Sequence, residues 1–382
     1  MDLKQLDQAT SALWAQIPRR VRIFLIFWFV TITLYLAIPA IAATGVPLPR
    51  VRLEYALQPT FNASKLALLI ENRPSPVLAP LMLHFLSVVP PDWRFRFMGS
   101  VESVAAINAS VAVRAAVATG KLDLTYIPAN MSTGSQEEIS RFLTNLWVYE
   151  TLLAPAEWLL IFQTDSMLCA NARRDLNDYL EYDWVGAPWN ASGRFGGNGG
   201  LSLRRVSAIV EILRNQIRLD GSEPEDVWLT DRLGHRPGAR LANGSLSMSF
   251  SGESQAGRPV RILHHAKHRN AQNGTDDLLQ EAREGAYVEG LDDWREGFYE
   301  PLGYHTGGSG RILPDGLWGT PRLRKHIWDY CPEIKMTLDM DAAQYVPGDC
   351  GAVWKRDSTW EETEVIDGVE YPVLPPGLAP WF

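Results

Sequence analysis

The chain has few cysteines, no surplus of basic residues and none of the short fingerprints of the commonest nucleotide-binding and hydrolytic folds. Three cysteines in 382 residues, Cys169, Cys331 and Cys350, are too few and too scattered for a disulfide scaffold or a zinc cluster. They allow one bridge, with Cys331 to Cys350 the expected pairing, and leave one thiol over. Lys and Arg number 36 against 44 Asp and Glu, a net charge of −8, which argues against a protein that coats DNA or RNA. The glycine-rich stretch around residues 196–200 is not followed by Gly-Lys-Ser/Thr, so it is no P-loop, and Gly197-x-Gly199 lacks the third glycine of a dinucleotide fingerprint. A hydrolase would need a nucleophile elbow or a clear carboxylate pair, and neither is present. Internal repeats are absent too. What remains is ordinary globular composition, 46% hydrophobic and 21% charged, which excludes a disordered or fibrous chain. The length suits one large domain or two ordinary ones with appendages. Fourteen tryptophans are many; they read either as core packing or, for some, as sugar-facing surface.

One long apolar run stands out. Ile23–Ala43 carries no charge, and as a helix its length of about 31 Å would span a bilayer core. Arg19, Arg20 and Arg22 precede it, so the positive-inside rule predicts residues 1–22 in the cytosol and everything after about residue 44 in the lumen. A cleaved signal peptide is the competing reading, but its apolar core would be shorter. Asn-X-Ser/Thr sequons at Asn62, Asn108, Asn130, Asn190, Asn243 and Asn273 exceed chance and agree with a secretory lumen. Asn190 falls inside a motif treated below and is not counted among the expected acceptors.

Beyond a Pro-containing stem at 44–61, apolar runs alternate with helical patterns. Lys65–Ile70, Arg94–Met98, Leu122–Ile127 and Trp158–Phe162 read as strands. Between them, Val77–Val88, Val101–Ala118 and Ser135–Leu153 read as helices, the last opening on a capping-box-like Ser135-x-x-Glu138. Several of these strands are continuous rather than alternating, which with the strand-helix order predicts a mostly parallel sheet covered by helices on both faces. Leu201–Arg214 follows as a strand running into a helix, and Glu223–Leu233 as a short helix with an acidic start. Residues 254–300 read as an irregular polar insertion, in which His264, His265 and His268 are loop residues, and 331–382 as an extended C-terminal wrap.

In such sheets ligands sit at the carboxyl ends of the strands. Asp165, directly after Trp158–Phe162 and flanked by Gln163 and Ser166, suits a hard divalent cation bridging a diphosphate, or else a helix N-cap. Gly196-Gly197-Asn198-Gly199-Gly200 permits close backbone approach to a ligand, or is a flexible loop. Glu225-Asp226 could supply a base for an acceptor hydroxyl, or be first-turn helix acids. His305 could complete a metal site, or be structural.

Taken together, the segments KLALLIENRP (65–74), 83–93, EWLLIFQTDSML (157–168), YDWVGAPW (182–189), GNGGLSLR (197–204), Glu225-Asp226 and Gly303-Tyr304-His305 occur in one order. This order resembles an uncharacterised, mainly fungal domain-of-unknown-function family whose members are similar to glycosyltransferases of the GT-A fold. The resemblance covers roughly residues 62–310, within an expected domain of 62–330. It implies a type II Golgi or ER glycosyltransferase that moves a sugar from a nucleotide-diphosphate donor to a glycan, protein or lipid hydroxyl. It further implies that Asp165 and His305 hold Mn²⁺ or Mg²⁺. Gln163, Asp165, Gly199, Gly200, Glu71 and Arg73 would meet the donor, and Glu225 or Asp226 would serve as base. Gln163-Thr164-Asp165 departs from the usual Asp-x-Asp, and the loss of one acid raises the rival reading: a non-catalytic, membrane-anchored glycan-binding protein on the same scaffold.

Overall fold

The computed structural model describes residues 14, 17–43, 61–261, 287, 290–308, 310, 313–338, 363–366 and 369–372. The chain divides into two units, Met1–Gln58 and Pro59–Phe382. In the first, the uncharged run forms one continuous helix, α1 (Arg19–Ala43). Apolar side chains such as Phe24, Phe27 and Phe29 are exposed. Thr31 and Thr33 donate their hydroxyls to the carbonyls of Phe27 and Phe29, so these polar groups are satisfied within the helix. Several side chains after Thr33 lie outside the described residues. Among those that are described, no single helix is long and apolar enough to cross a membrane.

The second unit is a mixed α/β structure around a six-stranded sheet. Its strands are β1 (Lys65–Glu71), β2 (Arg94–Gly99), β3 (Leu122–Tyr126), β4 (Trp158–Phe162), β6 (Trp184–Gly186) and β7 (Leu201–Arg205), in the order β3-β2-β1-β4-β7-β6. The first four run parallel, and β7 pairs antiparallel with both β4 and β6. The expected mostly parallel sheet is present. The β1 and β4 runs are continuously apolar because both faces are buried, whereas β2 (RFRFMG) and β3 (LDLTY) carry polar residues at alternate positions. Ala67 and Leu69 of β1, with Leu160 and Phe162 of β4, face one core. Leu66 and Leu68, with Leu159 and Ile161, face the other. The first core is covered by α2 (Leu78–Val88), where Phe85 stacks on Phe162 at 3.9 Å, and by α3 (Val101–Asn108) and α4 (Val111–Ala118). The second lies under α5 (Gln136–Leu143), α6 (Val206–Asn215) and α7 (Glu225–His235).

Local capping revises two expected helices. Val101–Ala118 is two helices bent by 96°, because Ser110 accepts from Val113 N and opens a new one. This bent pair has the length and composition of a broken membrane span, yet its Val104, Ile107 and Val113 belong to the first core. The helix after Ser135 stops at Leu143, where Asn145 accepts from Trp147 N, and resumes as a five-residue π turn, Val148–Leu152. Ser135 does cap it, accepting from Glu138 N and donating to the Glu138 carboxylate, both at 3.2 Å.

A small second sheet did not show in the sequence pattern, its strands being only two or three residues long. It orders β5 (Ser166–Leu168), β9 (Gly303–His305) and β8 (Ser251–Gly252) as β5-β9-β8. Its outer edge is tied to the C-terminal part of the unit by a disulfide between Cys169 and Cys331, whose Cα atoms are 4.8 Å apart. This corrects the expected Cys331–Cys350 pairing. Cys169 directly follows β5, and Cys331 ends α10 (Pro321–Tyr330), which follows the short α8 (Gly244–Phe250) and α9 (Asp315–Trp318). The Asn171 amide, donating to Tyr330 O at 2.9 Å, holds the two segments together. Cys350 lies outside the described residues, as do most of the expected insertion at 254–300 and its three histidines. The region expected as an extended wrap contains a 3₁₀ turn, Pro332–Thr337, and a hairpin of β10 (Thr363–Ile366) with β11 (Val369–Pro372).

Candidate active site

Three strand pairings bring the candidate residues together. Phe162 at the end of β4 pairs with Leu201 at the start of the antiparallel β7, so Gln163–Asp165 and Gly199–Gly200 leave the sheet side by side. Ser166 of β5 pairs with His305 of β9, setting the histidine beside Asp165. Gly252 of β8 pairs with Tyr304, which brings Glu253 up on the other side of His305. The site therefore stands at the carboxyl ends of the parallel strands, between the two sheets.

His305 is its hub. Nε2 is 3.3 Å from Asp165 Oδ1 and 3.4 Å from Gln163 Oε1, while Nδ1 is 2.9 Å from Glu253 Oε1. Burial, with the residue only 6% exposed, would lower the imidazole pKa. Hydrogen bonds and charge attraction from Asp165 and Glu253 outweigh it and push the value up to about 10. Asp165 is 9% exposed, and its surroundings are polar rather than apolar: its carbonyl accepts from Thr306 N and Oγ1 at 2.8 and 2.9 Å. Among the described residues no group of three or more His, Cys, Asp or Glu could by itself hold a metal ion. Asp165 and His305 fit a smaller share of one. A spacing of 3.3 Å is close to the roughly 3 Å between neighbouring ligand atoms around a cation bound at about 2.1 Å, and one or two protein ligands plus substrate phosphates is the usual pattern for Mg²⁺.

The glycines form the floor. A Cβ on Gly200 would collide with His305 Nε2 and stand 2.6 Å from Gln163 Oε1. Only glycine lets the backbone pass that close. Gly200 is fixed on both sides, its amide donating to Asn198 Oδ1 at 2.5 Å and its carbonyl accepting from Ser166 Oγ at 2.9 Å. Gly199 is held by the acidic pair of α7, whose two members have different tasks. Glu225, 7% exposed, receives both terminal nitrogens of the fully buried Arg204 at 2.9 and 3.0 Å. Arg204 also donates to Gly199 O at 3.1 Å and lies 4.1 Å over the Trp184 ring. Burial pushes the Glu225 carboxyl upward against the pull of Arg204, and the Arg204 guanidinium is raised as well. The bidentate geometry is that of an ionised pair. With both oxygens held by a fully buried guanidinium, Glu225 is placed as a structural anion, not as a base. Asp226 is half-buried, and among the described residues its oxygens accept only backbone amides, Gly199 N at 3.0 Å and Val227 N at 2.9 Å. It is the member of the pair next to the glycines.

At the end of β1, Glu71 accepts from the amide and guanidinium of Arg73 at 2.8 to 3.0 Å. Asp165 contributes to the raised pKa of Arg73, after the larger effects of Glu71, so this arginine stands in the field of the site. Two contributors escaped the sequence reading, Glu253 and Asn198. Asn198 lies within the glycine motif, and its side chain donates to Glu253 Oε1 at 3.3 Å. Glu253 carried no sequence signal, because it is brought in by a two-residue strand. A surface hollow of about 410 Å³ lies between α6 and α7 along Glu211, Asp231 and Arg236, and includes none of these residues.

Residues 121–268 match the family profile described as "Protein of unknown function (DUF5672)". A comparison with characterised proteins by sequence finds no match. Among solved structures, the chain is similar to a mannosyltransferase, PcManGT, from Pyrobaculum calidifontis in complex with GDP-Man and Mn²⁺ (10% identity, 45% of this chain and 52% of that one, TM-score 0.33). An active-site mutant of LgtC is also similar (16% identity, 72% and 100% coverage, TM-score 0.33). So is the mannosyltransferase Ktr4p from S. cerevisiae in complex with GDP (9% identity, 32% and 40% coverage, TM-score 0.24). The chain spans about half the length of the Pyrobaculum protein and less of the yeast one.

Proposed function

We propose that this protein is a glycosyltransferase of GT-A-like fold that binds a nucleotide-diphosphate sugar at the carboxyl ends of β1 and β4. The observation that carries the reading is the convergence of Gln163, Asp165, Gly200 and His305 on one spot. Asp165 and His305 would hold Mn²⁺ or Mg²⁺, which when bound supplies positive charge against the departing diphosphate. The chain's own residues do the rest. Gly199 and Gly200 let the donor lie against the backbone, Arg73 faces its phosphates or base, and Asp226 is the carboxylate left to receive the acceptor's proton. Glu225 and Arg204 keep the glycine turn rigid, so that the donor meets a fixed surface.

The lumenal setting belongs to the same proposal. Helix α1 would anchor the protein, with Arg19, Arg20 and Arg22 on the cytosolic side, in a type II Golgi or ER arrangement. Exposure of Asn62, Asn108, Asn130 and Asn243 and the Cys169–Cys331 bridge favour an oxidising, glycosylating compartment.

A thermal-shift series with nucleoside diphosphates and nucleotide sugars, with and without Mn²⁺, tests the site. We expect at least one to stabilise the protein only with the cation, and Asp165→Ala to abolish the effect. The second reading, an anchored glycan-binding protein without catalysis, draws on Gln163 standing in for an acid and on Glu225 being engaged by Arg204. It is the outcome if no nucleotide produces a shift while glycans do.

A further inference from the structure

The geometry points to Glu253 as a positioning residue that holds His305 for a divalent cation and restores the negative charge absent at Gln163. This inference rests on the proposed cation site. The His305 ring lies between two carboxylates on opposite edges, Asp165 toward Nε2 at 3.3 Å and Glu253 toward Nδ1 at 2.9 Å. Glu253 is therefore on the wrong side of the ring to share a cation with Nε2. It is on the right side to accept the Nδ1 proton, which leaves Nε2 as the edge turned to Asp165. A carboxylate behind a metal-binding histidine fixes its tautomer and raises its basicity. Glu253 is itself steadied by Asn198 at 3.3 Å, whose Oδ1 takes the Gly200 amide at 2.5 Å. One chain of hydrogen bonds thus runs from the glycine floor through Asn198 and Glu253 to His305.

Charge supplies the second argument. A cation at Nε2 takes the place of the proton there, so with Gln163 neutral and the imidazole then neutral, Asp165 alone offers one negative charge to a doubly charged ion. Glu253 brings the local sum to two, transmitted through the ring. The acid missing from the Gln163-Thr164-Asp165 motif is thereby made up about ninety residues later, from a strand that the motif does not include.

The test is Mn²⁺ affinity of the full chain in detergent, read by electron paramagnetic resonance of the free ion, without turnover. Glu253→Gln retains size and an acceptor for Nδ1 but loses the charge. We expect it to weaken Mn²⁺ binding 10- to 100-fold, with a single cooperative melting transition retained in the absence of metal. Gln163→Asp in the Glu253→Gln background should recover part of the loss, because it returns the charge by another route. If the unaltered protein binds Mn²⁺ and Glu253→Gln binds it equally well, the role of Glu253 is wrong while the cation site stands. If the unaltered protein binds no Mn²⁺ but is still stabilised by a nucleotide sugar, the inference falls and a metal-independent donor site remains. If it responds to neither, both the inference and the transferase reading fall.

Discussion

Gly199 and Gly200 are neighbours in sequence, yet a methyl group added to each would strike different kinds of partner. At Gly200 it meets the His305 ring and Gln163 Oε1, the side chains of the candidate cation site, and would push His305 away from Asp165. At Gly199 it meets Glu225 Oε1 at 2.5 Å and an Arg204 nitrogen at 2.9 Å, both in a buried ion pair. Displacing that pair from its geometry exposes each charge to an unsatisfied, low-dielectric surrounding, and breaking such pairs costs about 3–5 kcal/mol. Gly200→Ala should therefore remove the Mn²⁺-dependent nucleotide shift and lower the melting temperature less than the change at Gly199. Gly199→Ala should lower the melting temperature substantially, before any ligand is added. Differential scanning fluorimetry of the two variants checks this. Equal effects on stability would mean that the Arg204–Glu225 pair is not what holds the glycine turn.

Helix α5 illustrates how one ion pair can join segments far apart in sequence. Glu137, in its first turn, accepts from Arg218 at 2.7 and 3.0 Å and from Gly221 N at 3.1 Å, so it ties α5 to the loop that leads into α7. The Arg218 hydrogen bonds, with help from the Gly221 amide, hold the Glu137 carboxyl down at about 2, against an ordinary value of 4.5. The folded value is the lower one, so the carboxylate's contribution is fully present above pH 4.5 and is lost as the pH falls through 2. Glu137→Gln should accordingly be less stable than the unaltered protein at pH 6, with the gap closing below pH 4.5 and gone near pH 2. Melting temperatures across that range decide it. A gap that stays constant would assign the loss to packing and leave the ion pair without a role. The pair joins residues 81 positions apart. Neither helix period nor local propensity could have announced it, although the helix starts themselves, with Ser135 as cap and Glu225-Asp226 as first-turn acids, were legible.

For the molecule as a whole, β1 and β4 of the main sheet were readable because they are buried on both faces and so appear as unbroken apolar runs, whereas the three-residue β6 at the sheet edge carried no such signal. The glycine turn, Asp165 and His305 were readable as candidates, since each sits directly against such a run or beside a glycine. The acidic pair was legible as a pair but not in its division of labour, which depends on Arg204 emerging from β7 beneath α7. Glu253 and the Cys169–Cys331 bridge were not readable, because both depend on strands of two or three residues whose pairing is set entirely by tertiary structure. The same contrast bears on the compartment. An uncharged helix and a set of sequons are one-dimensional signals, but the accessibility of an asparagine is a property of the fold. Asn62, Asn108, Asn130 and Asn243 lie exposed on four separate segments: before β1, at the end of α3, after β3 and ahead of α8. If α1 delivers the second unit to the lumen, these four should be modified during synthesis. Expression in a eukaryotic cell should give a ladder that collapses on enzymatic deglycosylation, with one step lost for each of Asn62→Gln, Asn108→Gln, Asn130→Gln and Asn243→Gln. Reversing the flanking charge, by moving the arginines at 19, 20 and 22 to the far end of the helix, should abolish the whole ladder at once, because orientation follows the basic flank. A protein that migrates identically before and after deglycosylation would place this unit on the cytosolic face, where these four sites could never be filled.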